Sequence, residues 1–390
     1  MPDRWIDSLS RRDLLRRAGA AGLIAGSGGL LAACGEVEGT NQSSGDKAQE
    51  AAKANHPKTA IGTLVFSNWP LYVDRSVLRD FESAQKAQVS YREEINDNDE
   101  FFAKVRQELE AGRPIDRDIV VLTDWMVKRW IDQGFVEPLD KRNIPNVKNL
   151  VPTLQDVPFD TGRVYSLPWQ SGMTAIGYNP AKTGGELKSI MDLFEPRLKG
   201  RVAMLTEWRD SASLVMLAQG KDPANASKDD VLAAIEEIDK QNRAGQIRRF
   251  TGNDYTGDLA KGNLWAAVAW SGDVVQLKAD NPELEFLIPE DGAMLWSDNM
   301  LIPKGAKQPY GAETMMNYVY DPKVAAKITE EVAYVSPVQG VQEAISDSEL
   351  AGNELVFPSA ETQRKLHAHP ALSAADEREI NSAWVRVTGA

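Results

Sequence analysis

Short apolar runs rich in β-branched residues recur along this chain, each followed by a segment of helical period. That alternation restricts the fold more than any other feature. The first run, Gly62-Thr63-Leu64-Val65-Phe66-Ser67, stops at Asn68-Trp69-Pro70. Residues 75–86 then place Val77, Leu78 and Phe81 on one helical face. Residues 88–91 read as the next strand. Asn96-Asp97-Asn98-Asp99 offers an N-cap to a helix whose face carries Phe101, Phe102, Val105 and Leu109. Asp118-Ile119-Val120-Val121-Leu122 is almost wholly apolar, the pattern of a parallel strand covered on both faces, and residues 126–133 continue as helix up to Gly134. A second unit begins near Gly172. Its strands are read at 174–178, 202–205, 265–270 and 296–302, and its helices at 210–219 and 228–241, with two more at 310–320 and 322–333. Strand–helix repetition of this kind predicts an α/β fold.

Composition narrows the functional classes. The 390 residues leave room for two or three domains. Lys and Arg number 44 against 57 Asp and Glu, a net charge of -13, which argues against nucleic acid or an anionic lipid surface as the main partner. A single cysteine, Cys34, excludes an intrachain disulfide and a thiolate cluster. The three histidines, His56, His367 and His369, are a poor basis for a zinc site or a His-centred catalytic apparatus, so neither metal nor cofactor is expected. Asn96–Glu100 has alternating acids but lacks the Gly and terminal Glu of a calcium loop, which leaves helix capping as its reading.

Residues 1–34 read as an export signal. Ser10-Arg11-Arg12-Asp13-Leu14-Leu15-Arg16 precedes an apolar stretch over 18–33. As a helix that stretch would reach about 24 Å, short of the ~30 Å hydrocarbon core. The paired arginines resemble a twin-arginine signal, and Leu31-Ala32-Ala33-Cys34 resembles a bacterial lipobox, so lipidation at Cys34 is expected. Residues 35–60 are nearly all polar or small and are expected to be a flexible tether. The predicted location is the outer face of a membrane, where ATP-dependent chemistry has no ready supply of its co-substrate.

Five strings then occur in order: Asn68-Trp69-Pro70-Leu71-Tyr72; the segment from Asp118 to Trp125; Tyr165-Ser166-Leu167-Pro168-Trp169 with Thr174-Ala175-Ile176-Gly177-Tyr178-Asn179; Trp270-Ser271-Gly272-Asp273; and the segment from Pro289 to Asp298. Together they resemble the spermidine/putrescine-binding proteins of ABC importers over roughly residues 61–340. The resemblance implies the two-lobed, type II periplasmic-binding-protein fold: two α/β lobes joined by two crossover strands, with ligand in the cleft. It places the crossings near 170–174 and 296–301. Lobe one would be 61–172 plus 299–338, and lobe two 173–298 plus 339–390.

The same resemblance carries binding roles onto Trp69, Tyr72, Thr123, Trp125, Trp270, Asp273, Trp296, Asp298 and Tyr334, with Thr123 and Trp125 standing where the family has Ser and Tyr. Thr206-Glu207-Trp208-Arg209-Asp210-Ser211 falls where relatives present acids, and Asp210 is taken as the acid. Trp130, Trp169, Trp265 and Trp384 are left as packing residues. The chemistry fits the implied ligand. Ammonium groups need carboxylates, at about 1.5–3 kcal/mol per charge-assisted hydrogen bond. Methylenes need apolar cover, at about 0.8 kcal/mol each, and indole or phenol faces add about 0.5–2 kcal/mol per cation. The expected protein is a non-catalytic, monomeric, lipid-anchored polyamine carrier that hands its ligand to an ABC permease. Two other readings stand beside it. In one, the same fold takes an amino-phosphonate, an opine-like solute or another charged solute, with Arg209 on an anionic end. In the other, an exported hydrolase uses paired acids.

Overall fold

The computed structural model describes residues 54–389. The export signal, Cys34 and most of the tether lie outside the described residues. The chain runs β1 (Thr63–Asn68), α1 (Arg75–Gln85), β2 (Gln88–Glu93), α2 (Asn98–Glu110), β3 (Ile119–Thr123), α3 (Asp124–Asp132), β4 (Ser166–Tyr178), β5 (Val202–Leu205), α4 (Trp208–Ala218), α5 (Lys228–Arg243), β6 (Ile247–Thr251), α6 (Tyr255–Lys261), β7 (Ala266–Trp270), α7 (Ser271–Asp280), β8 (Glu285–Leu287), β9 (Ala293–Leu301), α8 (Pro309–Val319), α9 (Pro322–Val332), β10 (Leu366–His367) and α10 (Ala374–Thr388), with single helical turns in the connections.

The strands form one sheet in the order β2-β1-β3-β9-β4-β7-β5-β6. Two parallel halves, β2-β1-β3 and β7-β5-β6, flank a central antiparallel pair, β9 and β4. Both central strands are long enough to belong to both halves. Ser166↔Leu301 is paired beside β3, Thr174↔Met294 beside β7, and Gln170↔Asp298 lies between them. Apolar patterning marks 174–178 of β4 and the family resemblance adds a crossing near 170–174, whereas the strand begins at Ser166. The structure absorbs Pro168 at a register shift between Pro168 and Gln170, where its missing N–H does least damage. Gly172 has a packing cause: a Cβ there would collide with the rings of Trp296 and Tyr334.

Apolar burial follows the pattern read from sequence. All five residues of β3 are buried, as a strand covered on both faces requires. Val77, Leu78 and Phe81 bury one face of α1, and Asp97 caps α2 by accepting from the Glu100 N–H. Trp130 has no exposed surface and packs among Phe101, Phe102 and Phe135. Trp384 on α10 meets Phe250 edge-on, at 5.4 Å. Periodicity does not mark β6, whose Arg248 and Arg249 interrupt its apolar run, nor α6, α7, β8, β10 and α10. β10 pairs with the start of β9, and α10 packs on α5.

The tether expected to run to residue 60 ends earlier. From Ala54 the chain lies against the body: Arg142 donates to the Ala54 carbonyl and the Asn55 side chain, and Asn143 donates to the His56 carbonyl. His56 Nδ1 stands 2.6 Å from the fully buried Glu313 carboxylate, which also accepts from the Asp140 N–H and from Asn143. A polar segment can dock in this way because the body presents buried acceptors for it.

Candidate functional site

Parallel α/β sheets gather loops at the carboxyl ends of their strands, and ligands bind there. Here five such ends converge. Trp69, Pro70 and Tyr72 follow β1, Thr123 ends β3, Glu207 and Asp210 open α4 after β5, Asn253 follows β6, and Trp270 ends β7 with Asp273 in the first turn of α7. Trp296 and Asp298 come from β9 where it passes between the halves. Tyr334 follows α9, fixed there by paired backbone hydrogen bonds between Val335 and Ser171 of β4. His369 enters from the connection between β10 and α10. Together they line a slot of ≈ 430 Å³, open mouth included.

Its apolar wall is a relay of rings from both halves. Trp69 meets Trp270 at 5.9 Å, Trp270 meets Trp296 at 6.4 Å, Trp296 meets Tyr334 at 5.5 Å, and Tyr334 meets Tyr72 at 5.3 Å, mostly edge to face. That geometry leaves ring faces for other occupants. Hydrogen bonds also cross the cleft. Asn98 donates to Glu207 at 2.5 Å, Thr206 to Asp97 at 2.7 Å, and the Asn253 N–H to the Asn96 side chain at 3.2 Å. The Asn96–Glu100 segment is therefore a helix cap that also touches the opposite half.

Four carboxyl groups line the slot, in four different settings. Asp298 is buried and accepts from the Thr123 hydroxyl at 2.7 Å. Burial pushes its carboxyl up to about 7, with Asp124 and Asp210 nearby adding to the rise and the Thr123 and Tyr72 hydroxyls opposing it. Asp273 accepts from Asn253 (2.9 Å), the Tyr255 hydroxyl (2.9 Å) and the Tyr334 hydroxyl (3.0 Å). Tyr255 is held in turn by accepting the Trp270 N–H. Glu207 is pushed well above the usual carboxylate range, first by burial and then by Asp97 and Asp210 beside it. Asp210 accepts from Thr174 at 2.7 Å and faces His369 Nε2 at 3.2 Å. His369 is the one residue lining the slot that can carry a positive charge. The phenols of Tyr72 and Tyr255 are pushed well up by burial and by Asp298 and Asp273 respectively, so both remain neutral donors.

Nine of the ten residues expected to contact ligand line this slot; Trp125 does not. Its ring lies under the Arg209 guanidinium at 3.9 Å and near Arg129 at 5.2 Å. Arg209 is buried, stacked also on Trp208 and paired with Glu377 at 2.7 Å. It is thus committed to the α4–α10 interface and absent from the slot lining, which removes the cation that an anionic ligand end would have used. The sequence reading missed Glu207, Asn253 and His369. Glu207 stood in the segment already singled out, two residues before Arg209. Asn253 follows a strand that was not read. His369 lies beyond the stretch where the family resemblance was strong, and nothing local marked it.

The arrangement suits an elongated organic cation: carboxylates for its charged ends and ring faces for its hydrocarbon. Comparison with known proteins points the same way. A spermidine/putrescine-binding periplasmic protein of Haemophilus influenzae is 28% identical over 352 residues, spanning 89% of this chain and 92% of that protein. The Escherichia coli spermidine/putrescine-binding periplasmic protein is 26% identical over 301 residues, 77% of this chain and 84% of its own. A solved Listeria monocytogenes structure, assigned to a spermidine/putrescine ABC transporter, matches with a TM-score of 0.75 at 27% identity, covering 83% of this chain and 98% of that one. The two-lobed, type II architecture expected from the sequence is therefore the architecture present. Since the model of the bacterial extracellular solute-binding proteins matches residues 76–355, most of the folded body, this chain belongs to that family.

Proposed function

We propose that the protein captures a polyamine of the putrescine/spermidine class outside the cytoplasm and delivers it to an ABC permease, without catalysing a reaction. The observation that carries this reading is the pairing of Asp298 and Asp273 with an aromatic relay in one slot, each acid held by neutral donors. A buried carboxylate without a cation is costly, and a ligand ammonium relieves that cost. Two charge-assisted hydrogen bonds, a few buried methylenes and one or two cation–π contacts sum to roughly 7–13 kcal/mol before the losses of association, the same order as the roughly -8 kcal/mol of a micromolar complex. Trp69, Trp270, Trp296 and Tyr334 cover the hydrocarbon, and Thr123 orients Asp298.

In this reading the closed cleft is the form the permease recognises. The polypeptide is a monomer held to the membrane by lipid on Cys34. Titration calorimetry and thermal unfolding with putrescine and spermidine, run against an opine and an amino-phosphonate, test the assignment. Micromolar binding and a raised unfolding midpoint with the amines are expected. Silence from every polyamine overturns the reading, and so does turnover of the bound ligand.

A further inference from the structure

The four acids of the slot are not equally available, and the difference comes from a residue outside the strand ends. His369 is delivered by a strap with two fastened ends. On one side Leu366 and His367 pair with Ala293 and Met294 of β9. On the other, α10 is pinned to α4 and the loop before it by the Arg209–Glu377 ion pair, by Trp208 Nε1–H donating to Asn381, and by Trp384 Nε1–H donating to the Thr206 carbonyl. Between these fastenings the imidazole is directed at Asp210, with only 11% of the His369 side chain and 3% of the Asp210 side chain exposed. Nε2 stands 3.2 Å from Oδ1 of Asp210, within hydrogen-bonding distance. With Thr174 on the same oxygen, Oδ1 of Asp210 is already engaged twice.

We propose that His369 is a specificity-determining residue: by holding Asp210 it withdraws that carboxylate from the ligand, leaving Asp298 and Asp273 as the two ammonium acceptors, so that the slot takes a diamine in preference to a triamine. The proposal rests on the polyamine reading above and refines it. Glu207 does not supply a third acceptor. It is buried beside Asp97 and Asp210, tied to Asn98, and held toward its neutral form. A third ammonium entering this end would meet an acid with one oxygen already engaged twice, and an imidazole in its path. Burying it there unpaired is what a low-dielectric site penalises most.

The test is titration calorimetry on the purified protein with putrescine and spermidine, for the wild type and for His369→Ala. The wild type is expected to bind putrescine at least tenfold more tightly than spermidine. The variant is expected to narrow or reverse that ratio by tenfold or more, chiefly by gaining spermidine affinity. Adding Asp210→Asn to the variant is expected to abolish the gain, because the freed carboxylate is its source. A wild type that binds spermidine as tightly as putrescine overturns the proposal without any variant, so a poorly folding His369→Ala does not protect it. An unchanged ratio in a folded variant overturns it too. Both results leave the polyamine reading standing; in this experiment the failure of both amines to bind the wild type removes that reading.

Discussion

Asp298 is the residue where burial and ligand charge meet most directly. Replacing it with Asn keeps the shape and removes the charge, and polyamine affinity is expected to fall by about 1.5–3 kcal/mol, roughly ten- to a hundredfold, by calorimetry. Its titration gives a second expectation. The carboxyl is raised from 3.8 to about 7 in the folded, empty protein. Between those values the folded state holds a proton that the unfolded chain has lost, so this group lowers stability as pH rises through the window. An ammonium favours the ionised form. Binding below pH 7 should therefore release a proton, and affinity should weaken as pH falls from 8 to 5.5, by up to about tenfold per unit from this group. Calorimetry at pH 6 in buffers of different ionisation enthalpy checks the release; pH-independent affinity contradicts it. Arg209 makes the contrasting case. Arg209→Ala strips the cation from two indole faces and from Glu377. It should lower stability by about 1–3 kcal/mol in denaturant unfolding, yet leave putrescine affinity within threefold, because the side chain faces the α4–α10 interface.

Among the elements, β4 does most to assemble the slot. It crosses between the two halves, presents Thr174 to Asp210, and at Gly172 leaves room for the rings of Trp296 and Tyr334. Gly172→Ala should therefore displace those rings and weaken polyamine binding tenfold or more, at a stability cost of about 1–3 kcal/mol. An affinity within threefold of wild type would show that the rings can shift without loss. The legible elements were those with a clean period and room to run: β1, β3, α1, α2, α5, α8 and α9 all fall within a few residues of where periodicity puts them. The start of β4 is not marked by period, because all thirteen of its residues are buried and no polar alternation frames it. β6 was hidden by two arginines on an edge strand.

On the scale of the whole molecule, the body is separated from its proposed anchor by a polar segment that is already docked at residue 54. Cys34→Ala is expected to move the protein from the membrane fraction to the soluble fraction with its polyamine affinity unchanged; continued membrane retention would exclude the lipid anchor. Fold class was readable from the amino-acid order because strand and helix periods are local, and nine of the slot residues because the ordered aromatic and acidic strings carry a family resemblance that implied those positions. The neighbours each residue finds across the molecule were not readable. Asp210 and His369 are 159 positions apart and meet at 3.2 Å. Arg209, adjacent to Asp210 in the chain, turns away to Glu377, and Trp125 turns with it. Which of two consecutive helical residues faces a cleft depends on how the helix is rotated against its neighbours, and that rotation is set by packing of α4 against α5, β9 and α10, which only the folded chain contains.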